Sequence, residues 1–200
     1  MSPTAGDDER FVESGLGVRR DPGLIVRPML SSELKPVRCL LTDCYRWLAE
    51  QERWGDEALK ELLQVRASIE TIQAEAHSQR WLVATIAEQT VGVVAVDRDE
   101  IARLYVDPAH HRMGIGAKLF KAALELISEA GHGEAMLGSN ESALPFYQAM
   151  GMRVTDRRAY GLSGFAGHTV YIMAGPTSGQ PNHWTRSPVG RRASPRRSHR

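Results

Sequence analysis

The chain has 200 residues, a formal net charge of +1 and two cysteines. That length suits one domain with tails, and it is long enough to bury a sizeable core. The balanced charge excludes a global pull toward nucleic acid or membrane, and two cysteines are too few for a disulfide framework. No apolar run reaches the roughly 20 residues of a spanning helix, and the acidic N-terminus has no apolar signal core, so a cytoplasmic protein is expected.

Residues 1–23 have little apolar content and no period, which predicts a disordered leader. "LIVRPM", residues 24–29, predicts a short strand. A helix is predicted over 31–51, where Leu34, Val37, Leu41, Cys44 and Leu48 recur at spacings of three and four and Ser31 or Ser32 can cap. Cys39 and Cys44 lie on it, point in different directions, and read as buried, inert thiols. A second helix is predicted over 56–77, with Leu59, Leu62, Leu63, Ile69 and Ile72 inward. The period then changes. Residues 80–88 and 91–99 are β-rich runs joined by Gln89 and Thr90, a hairpin pattern. A third run, "EIARLYVDP", ends at Asp107-Pro108, where proline cannot donate to a ladder. A helix follows over 114–130 and stops at Gly131. "GEAMLGS" is another strand. "SALPFYQAM" is a short helix with Pro145 in its first turn, and Gly151 ends it. Residues 152–162 and 168–174 are the last two strands, joined by a glycine-rich turn. Residues 176–200 are rich in Pro, Ser, Gly and Arg and contain no acid, which predicts a disordered, solvated tail. Within it "RRAS" matches a basic-directed phosphorylation pattern. The order β-α-α-β-β-β-α-β-α-β-β predicts an α/β protein with a mixed sheet and helices on its faces.

The most informative stretch is "HHRMGIGAKLF", which follows a strand and opens an amphipathic helix. A helix start exposes unpaired N–H groups and carries partial positive charge, and glycine lets an anion approach them. Met113 to Lys118 would form that cradle. A dinucleotide fingerprint needs a third glycine where Leu119 stands, and a P-loop needs Gly-Lys-Ser/Thr, so both fail. His110 and His111 are adjacent and His77, His132 and His168 have no partner visible in sequence, so no metal site is expected.

This stretch resembles the acetyl-CoA loop of the GCN5-related N-acetyltransferases, whose pattern is Gln/Arg-x-x-Gly-x-Gly/Ala. Here it reads His111-Arg112-Met113-Gly114-Ile115-Gly116, with His111 in place of Gln or Arg and Arg112 one position late. "SNESALPFYQAMGMRV" resembles the same family's second motif, through Asn140, Ala143, Phe146, Tyr147 and Gly151. The resemblance spans residues 24–175, the expected catalytic domain. It implies an acyl-CoA N-acyltransferase fold: a mixed, mostly antiparallel sheet of about seven strands, flanked by four helices and splayed between strands 4 and 5.

By resemblance, acetyl-CoA is the co-substrate and an amine of a small molecule or protein the acceptor, in a monomer or homodimer that binds neither membrane nor, as expected, nucleic acid. His111, Arg112, Met113, Gly114, Ile115, Gly116, Ala117, Lys118 and Asn140 are the implied cofactor contacts. So is the strand segment Leu104-Tyr105-Val106, where an amide of Tyr105 or Val106 would polarise the thioester carbonyl. Tyr147 matches the family's general acid. Glu100 stands eleven residues ahead of His111, where some histone-type members carry a catalytic Glu; a solvated Glu100, with ordered water as the relay, is the other reading. The first two helices often shape the acceptor pocket in this family. Trp47 and Trp54 there read as packing residues, while Arg46, Glu50 and Glu52 are open as readers of acceptor charge. A non-catalytic acyl-CoA-binding regulatory domain is the competing function.

Overall fold

The computed structural model describes residues 23–161 and 163–178. The predicted leader, apart from its last residue, and nearly all of the predicted tail with its "RRAS" segment lie outside these residues.

Seven strands form one sheet in the order β1-β2-β3-β4-β5-β7-β6. β1 is Ile25–Pro28, β2 Arg80–Ile86, β3 Gln89–Asp97, β4 Glu100–Val106, β5 Glu134–Ser139, β6 Arg153–Ala159 and β7 Thr169–Pro176. All neighbours are antiparallel except β4 and β5, which run parallel. Among the described residues five helices flank it: α1 (Leu34–Glu52), α2 (Asp56–Glu61), α3 (Ile69–Ser78), α4 (Ile115–Glu129) and α5 (Leu144–Ala149).

The inner strand β3 is covered on both faces, and its side chains divide by the period of two that a strand imposes. Val94 and Val96 pack with Ile115, Leu119, Phe120, Ala123 and Ile127 of α4. Val93 and Ala95 pack with Val37, Leu41, Cys44 and Tyr45 of α1 and Ile72 of α3. Gly92 is the one place where β3 and α4 meet too closely for a side chain: a Cβ there would stand 2.8 Å from Leu119 Cδ1.

Four expectations are corrected. The predicted second helix is broken. Leu62–Arg66 forms a π turn, Ser68 Oγ then accepts the Thr71 N–H at 3.1 Å, and this cap starts α3 afresh, which makes five helices from the expected four. The first hairpin turns at Ala87 and Glu88, not at Gln89 and Thr90. Both turn residues have positive φ, 47° and 67°, as a two-residue turn matching strand twist demands. Neither serine caps α1; the Glu33 carboxylate accepts the Leu30 N–H at 2.7 Å instead. Cys39 is exposed, and only Cys44 is buried.

One polar cluster inside this architecture was not foreseen. Arg103 of β4 is only 2% exposed. Its guanidinium makes two bonds to Glu75 of α3, at 2.7 and 3.0 Å, and one to the Tyr45 hydroxyl at 3.0 Å, and it lies over the Trp81 ring. Arg66 of the π turn adds a contact to Glu75 at 3.2 Å. The cluster ties β4 to α1 and α3. Removing one partner of a buried pair strands the other charge, at about 3–5 kcal/mol. Glu75→Ala is therefore expected to cost about that much in urea denaturation. A loss below about 1 kcal/mol would show that Arg103 does not depend on Glu75.

Candidate active site

β4 and β5 touch through a single register pair, Glu100↔Met136, supported by the Met136 N–H on the Asp99 carbonyl at 2.9 Å. β5 meanwhile pairs with β7 over its whole length, from Glu134↔Pro176 to Ser139↔Tyr171. The two parallel strands therefore join at one end and part toward their carboxyl ends. In an open sheet the crevice at the carboxyl ends of parallel strands is where ligands bind.

The glycine turn closes the β4 side of this crevice. Asp107 leaves β4, and its carboxylate accepts the Ala109 N–H at 2.9 Å and pairs with His110 Nδ1 at 3.0 Å. Arg112 and Gly114 then take left-handed conformations, φ 66° and 81°, before α4 begins. The helix's first bond runs from the Lys118 N–H to the Gly114 carbonyl at 3.1 Å. The N–H groups of Ile115, Gly116 and Ala117 thus have no acceptor within the helix, and they sit at its positive end. Gly116 brings this turn against its neighbours: a Cβ there would lie 3.4 Å from the Phe146 ring and 3.7 Å from Val106 Cγ2. The carboxyl end of β4, the start of α4 and the Phe146-Tyr147 pair of α5 are therefore in one place.

The other sequence-predicted residues divide clearly. Leu104 and Val106 pack toward α4, whereas Tyr105 faces α1, its ring edge-on to Tyr45 at 5.2 Å. Tyr147 is 7% exposed and packs against Phe146 and Phe120. Burial pushes its phenol well above the ordinary tyrosine range, so it keeps its proton at neutral pH. Asn140 follows β5 and lines a small cleft beside the crevice. Met113 packs against the α4 side of the core, and Arg112 is exposed. Lys118 is drawn out of the cradle, because its ammonium is engaged by the Leu24 carbonyl at 2.6 Å and its N–H by Gly114. Glu100 is exposed at the opposite end of β4, about 20 Å from Val106 at roughly 3.3 Å per strand residue. The structure does not bring it to the cradle.

His111, the departure from the family pattern, has a structural task. Its Nε2–H donates to the Val106 carbonyl at 3.0 Å, and its ring stands edge-on to Trp47 of α1 at 4.7 Å. The buried Cys44 thiol donates to the same carbonyl at 3.3 Å. Burial pushes that thiol up to about 12, so it stays protonated and unreactive. His111 thus fastens the last residue of β4 to α1.

The cleft, about 130 Å³, lies across the crevice from the glycine turn. Glu52 at the end of α1 enters its wall and accepts the Ser142 N–H at 2.7 Å. Trp54 and Tyr160 also line it, and both pack on Phe165, with ring centroids 4.9 and 4.4 Å away. Phe165 comes from the connection between β6 and β7, read in sequence only as a glycine-rich turn. It is buried because Gly164 lets that connection lie on α2, where a Cβ would stand 2.8 Å from the Ala58 backbone. An aromatic in a glycine-rich loop was the available signal.

A parted parallel pair, an amide-lined glycine turn and an adjoining cleft define an acyl-CoA N-acyltransferase fold. A family profile described as an acetyltransferase (GNAT) domain matches residues 48–162, more than half of the chain. The chain belongs to the GNAT acetyltransferase family. Solved structures share its fold. One is a GCN5-related N-acetyltransferase from Rhodopseudomonas palustris, with 20% identity over 76% of this chain and 94% of that one, TM-score 0.68. A second is the PaiA N-acetyltransferase from Thermoplasma acidophilum in complex with coenzyme A, with 18% identity over 76% and 98%, TM-score 0.65. A third is a GNAT family acetyltransferase from Elizabethkingia anophelis with acetyl-CoA bound, with 17% identity over 78% and 99%, TM-score 0.55. No described helix is long and apolar enough to cross a membrane.

The fastening of β4 yields a prediction. His111→Ala leaves Val106 to the weaker thiol donor and should cost about 1 kcal/mol in urea denaturation, whereas His111→Gln, whose amide can donate, should cost less. Equal losses for the two variants would mean that the ring's contact with Trp47, not the hydrogen bond, is what matters.

Proposed function

We propose that the protein is an N-acetyltransferase that moves an acetyl group from acetyl-CoA to a primary amine by direct attack in a ternary complex. The observation that carries this is the parting of β4 from β5 with the Gly114–Gly116 turn at its mouth. Membership of the family and the coenzyme-bound fold neighbours support the same reading.

In this reading the N–H groups of Ile115, Gly116 and Ala117 hold the pyrophosphate of the coenzyme, where helix-end amides and glycine suit an anion. The pantetheine arm enters the gap and pairs with the free edge of β4. An amide of Leu104 or Val106, whose N–H groups alternate away from β3, hydrogen-bonds the thioester oxygen, which takes up charge in the transition state. The amine attacks as its neutral form. The new C–N bond forms, the C–S bond breaks, Tyr147 passes its proton to the departing sulfur, and the proton lost by nitrogen returns through water at the crevice to the Tyr147 oxygen. Water is preferred to Glu100 as base because of that residue's distance. The high-lying Tyr147 phenol holds its proton through the neutral range, so its ionisation should not limit activity below about pH 10.

Calorimetry tests the cradle. Gly114→Val puts a branched side chain at a φ of 81° and should weaken acetyl-CoA binding at least tenfold, roughly 1.4 kcal/mol, with the fold kept. No binding by the unaltered protein would refute the proposal. Tyr147→Phe should lower kcat about 100-fold or more with little change in acetyl-CoA affinity, by the usual size of general-acid effects. An unchanged kcat with chemistry rate-limiting would remove the acid role. Tight acetyl-CoA binding without turnover of any amine would leave a non-catalytic acyl-CoA-binding domain.

A further inference from the structure

We infer that the cleft beside the crevice selects acceptors that carry a second positive charge in addition to the amine that is acetylated. This rests on the acetyltransferase reading and names the acceptor class for the same site.

The walls carry the argument. Glu52 and Glu141 line the cleft together with Asn140, Trp54, Tyr160, His168 and Tyr171, and its exposed surface is almost entirely polar. No lysine or arginine lines it among the described residues. Glu52 uses Oε1 for the Ser142 N–H, and among the described residues Oε2 has no protein donor. It also closes the carboxyl end of the 19-residue helix α1, where the backbone dipole favours a cation. Arg66, which acts on the Tyr160 phenol, is paired with Glu75 at 3.2 Å, and Arg157 lies over the Tyr171 ring at 5.3 Å.

The reacting amine is not the cation that this cleft suits. It must lose its proton before attack, and two carboxylates would raise its pKa and keep it charged. A second, non-reacting ammonium has no such conflict and gains from both carboxylates throughout the reaction. α1 links the two places. Trp47 stands at the β4 end beside His111, and Glu52 lies five residues on, about 7.5 Å along the axis at roughly 1.5 Å per residue. An extended five-carbon diamine has about that length, so one amine can lie at the gap and the other in the cleft. An acceptor with a carboxylate at its far end is repelled.

The test is steady-state acetylation by the full chain, using three acceptors of equal length that differ only at the far group: hexan-1-amine, pentane-1,5-diamine and 5-aminopentanoate, each corrected for its neutral-amine fraction. The diamine is expected to lead the monoamine by about tenfold or more in kcat/KM, roughly 1.4 kcal/mol, with the carboxylate last. Glu52→Gln keeps an oxygen for the Ser142 N–H, so the fold is retained. It should raise KM for the diamine by about tenfold, leave kcat nearly unchanged and leave the monoamine unaffected, and Glu141→Gln should act in the same direction. Equal use of all three acceptors, or a diamine preference that survives both substitutions, overturns the inference and leaves the acetyltransferase standing. Acetyl-CoA binding with no turnover of any amine overturns both.

Discussion

The site depends on one constraint: two parallel strands are hydrogen-bonded at one end and not at the other. β5 is held to β7 along its full length, and β4 is held to β3 from Asp97↔Glu100 to Gly92↔Val106. Each wall of the gap is thus fixed from its outer side, and the gap needs no support from whatever fills it. Parallel pairing also points both strands the same way, so Val106 and Ser139 deliver their following loops to a single edge of the sheet. One loop becomes the glycine turn and the start of α4. The other becomes Asn140, the Glu52 contact and α5.

An unpaired strand edge is unfavourable unless its polar groups find partners. The protein meets part of that need with side chains. The Val106 carbonyl takes bonds from both His111 and Cys44. Just upstream, Arg103 anchors β4 to α3 and α1 through Glu75 and Tyr45. Such a buried ion cluster adds little net stability, because desolvation offsets most of the attraction. What it adds is position, since the guanidinium meets a carboxylate in two bonds and a phenol in a third, and few strand placements satisfy all three at once.

Much of this was legible in the sequence. Seven strands, their order and the start and stop of α4 followed from period changes and glycine positions. Gly131 and Gly151 adopt the left-handed conformations that their places just past helix C-termini imply, φ 90° and 89°. What sequence could not carry was contact across long separations. Nothing local distinguishes Arg103 from a surface arginine, because its partners Tyr45 and Glu75 lie 58 and 28 residues away. The second predicted helix kept a helical period through Leu62–Arg66, and the break came from a π turn and a serine cap that periodicity does not encode. In the candidate site, the backbone cradle and the neighbourhood of Tyr147 were readable because they follow from a local turn and a local helix. The position of Lys118 was not, since it is decided by the distant Leu24 carbonyl, whereas Glu100 opened the predicted strand and its distance from the turn follows from that place.

The central claim is that the gap between β4 and β5, with the turn at its mouth, receives acetyl-CoA. Backbone hydrogen exchange with and without acetyl-CoA measures this most directly. The account predicts slower exchange at Leu104 and Val106, whose N–H groups face the gap, and at Ile115, Gly116 and Ala117, with the far end of β4 near Glu100 little changed. Protection confined to other surfaces, or none in these two segments at saturating acetyl-CoA, would contradict it.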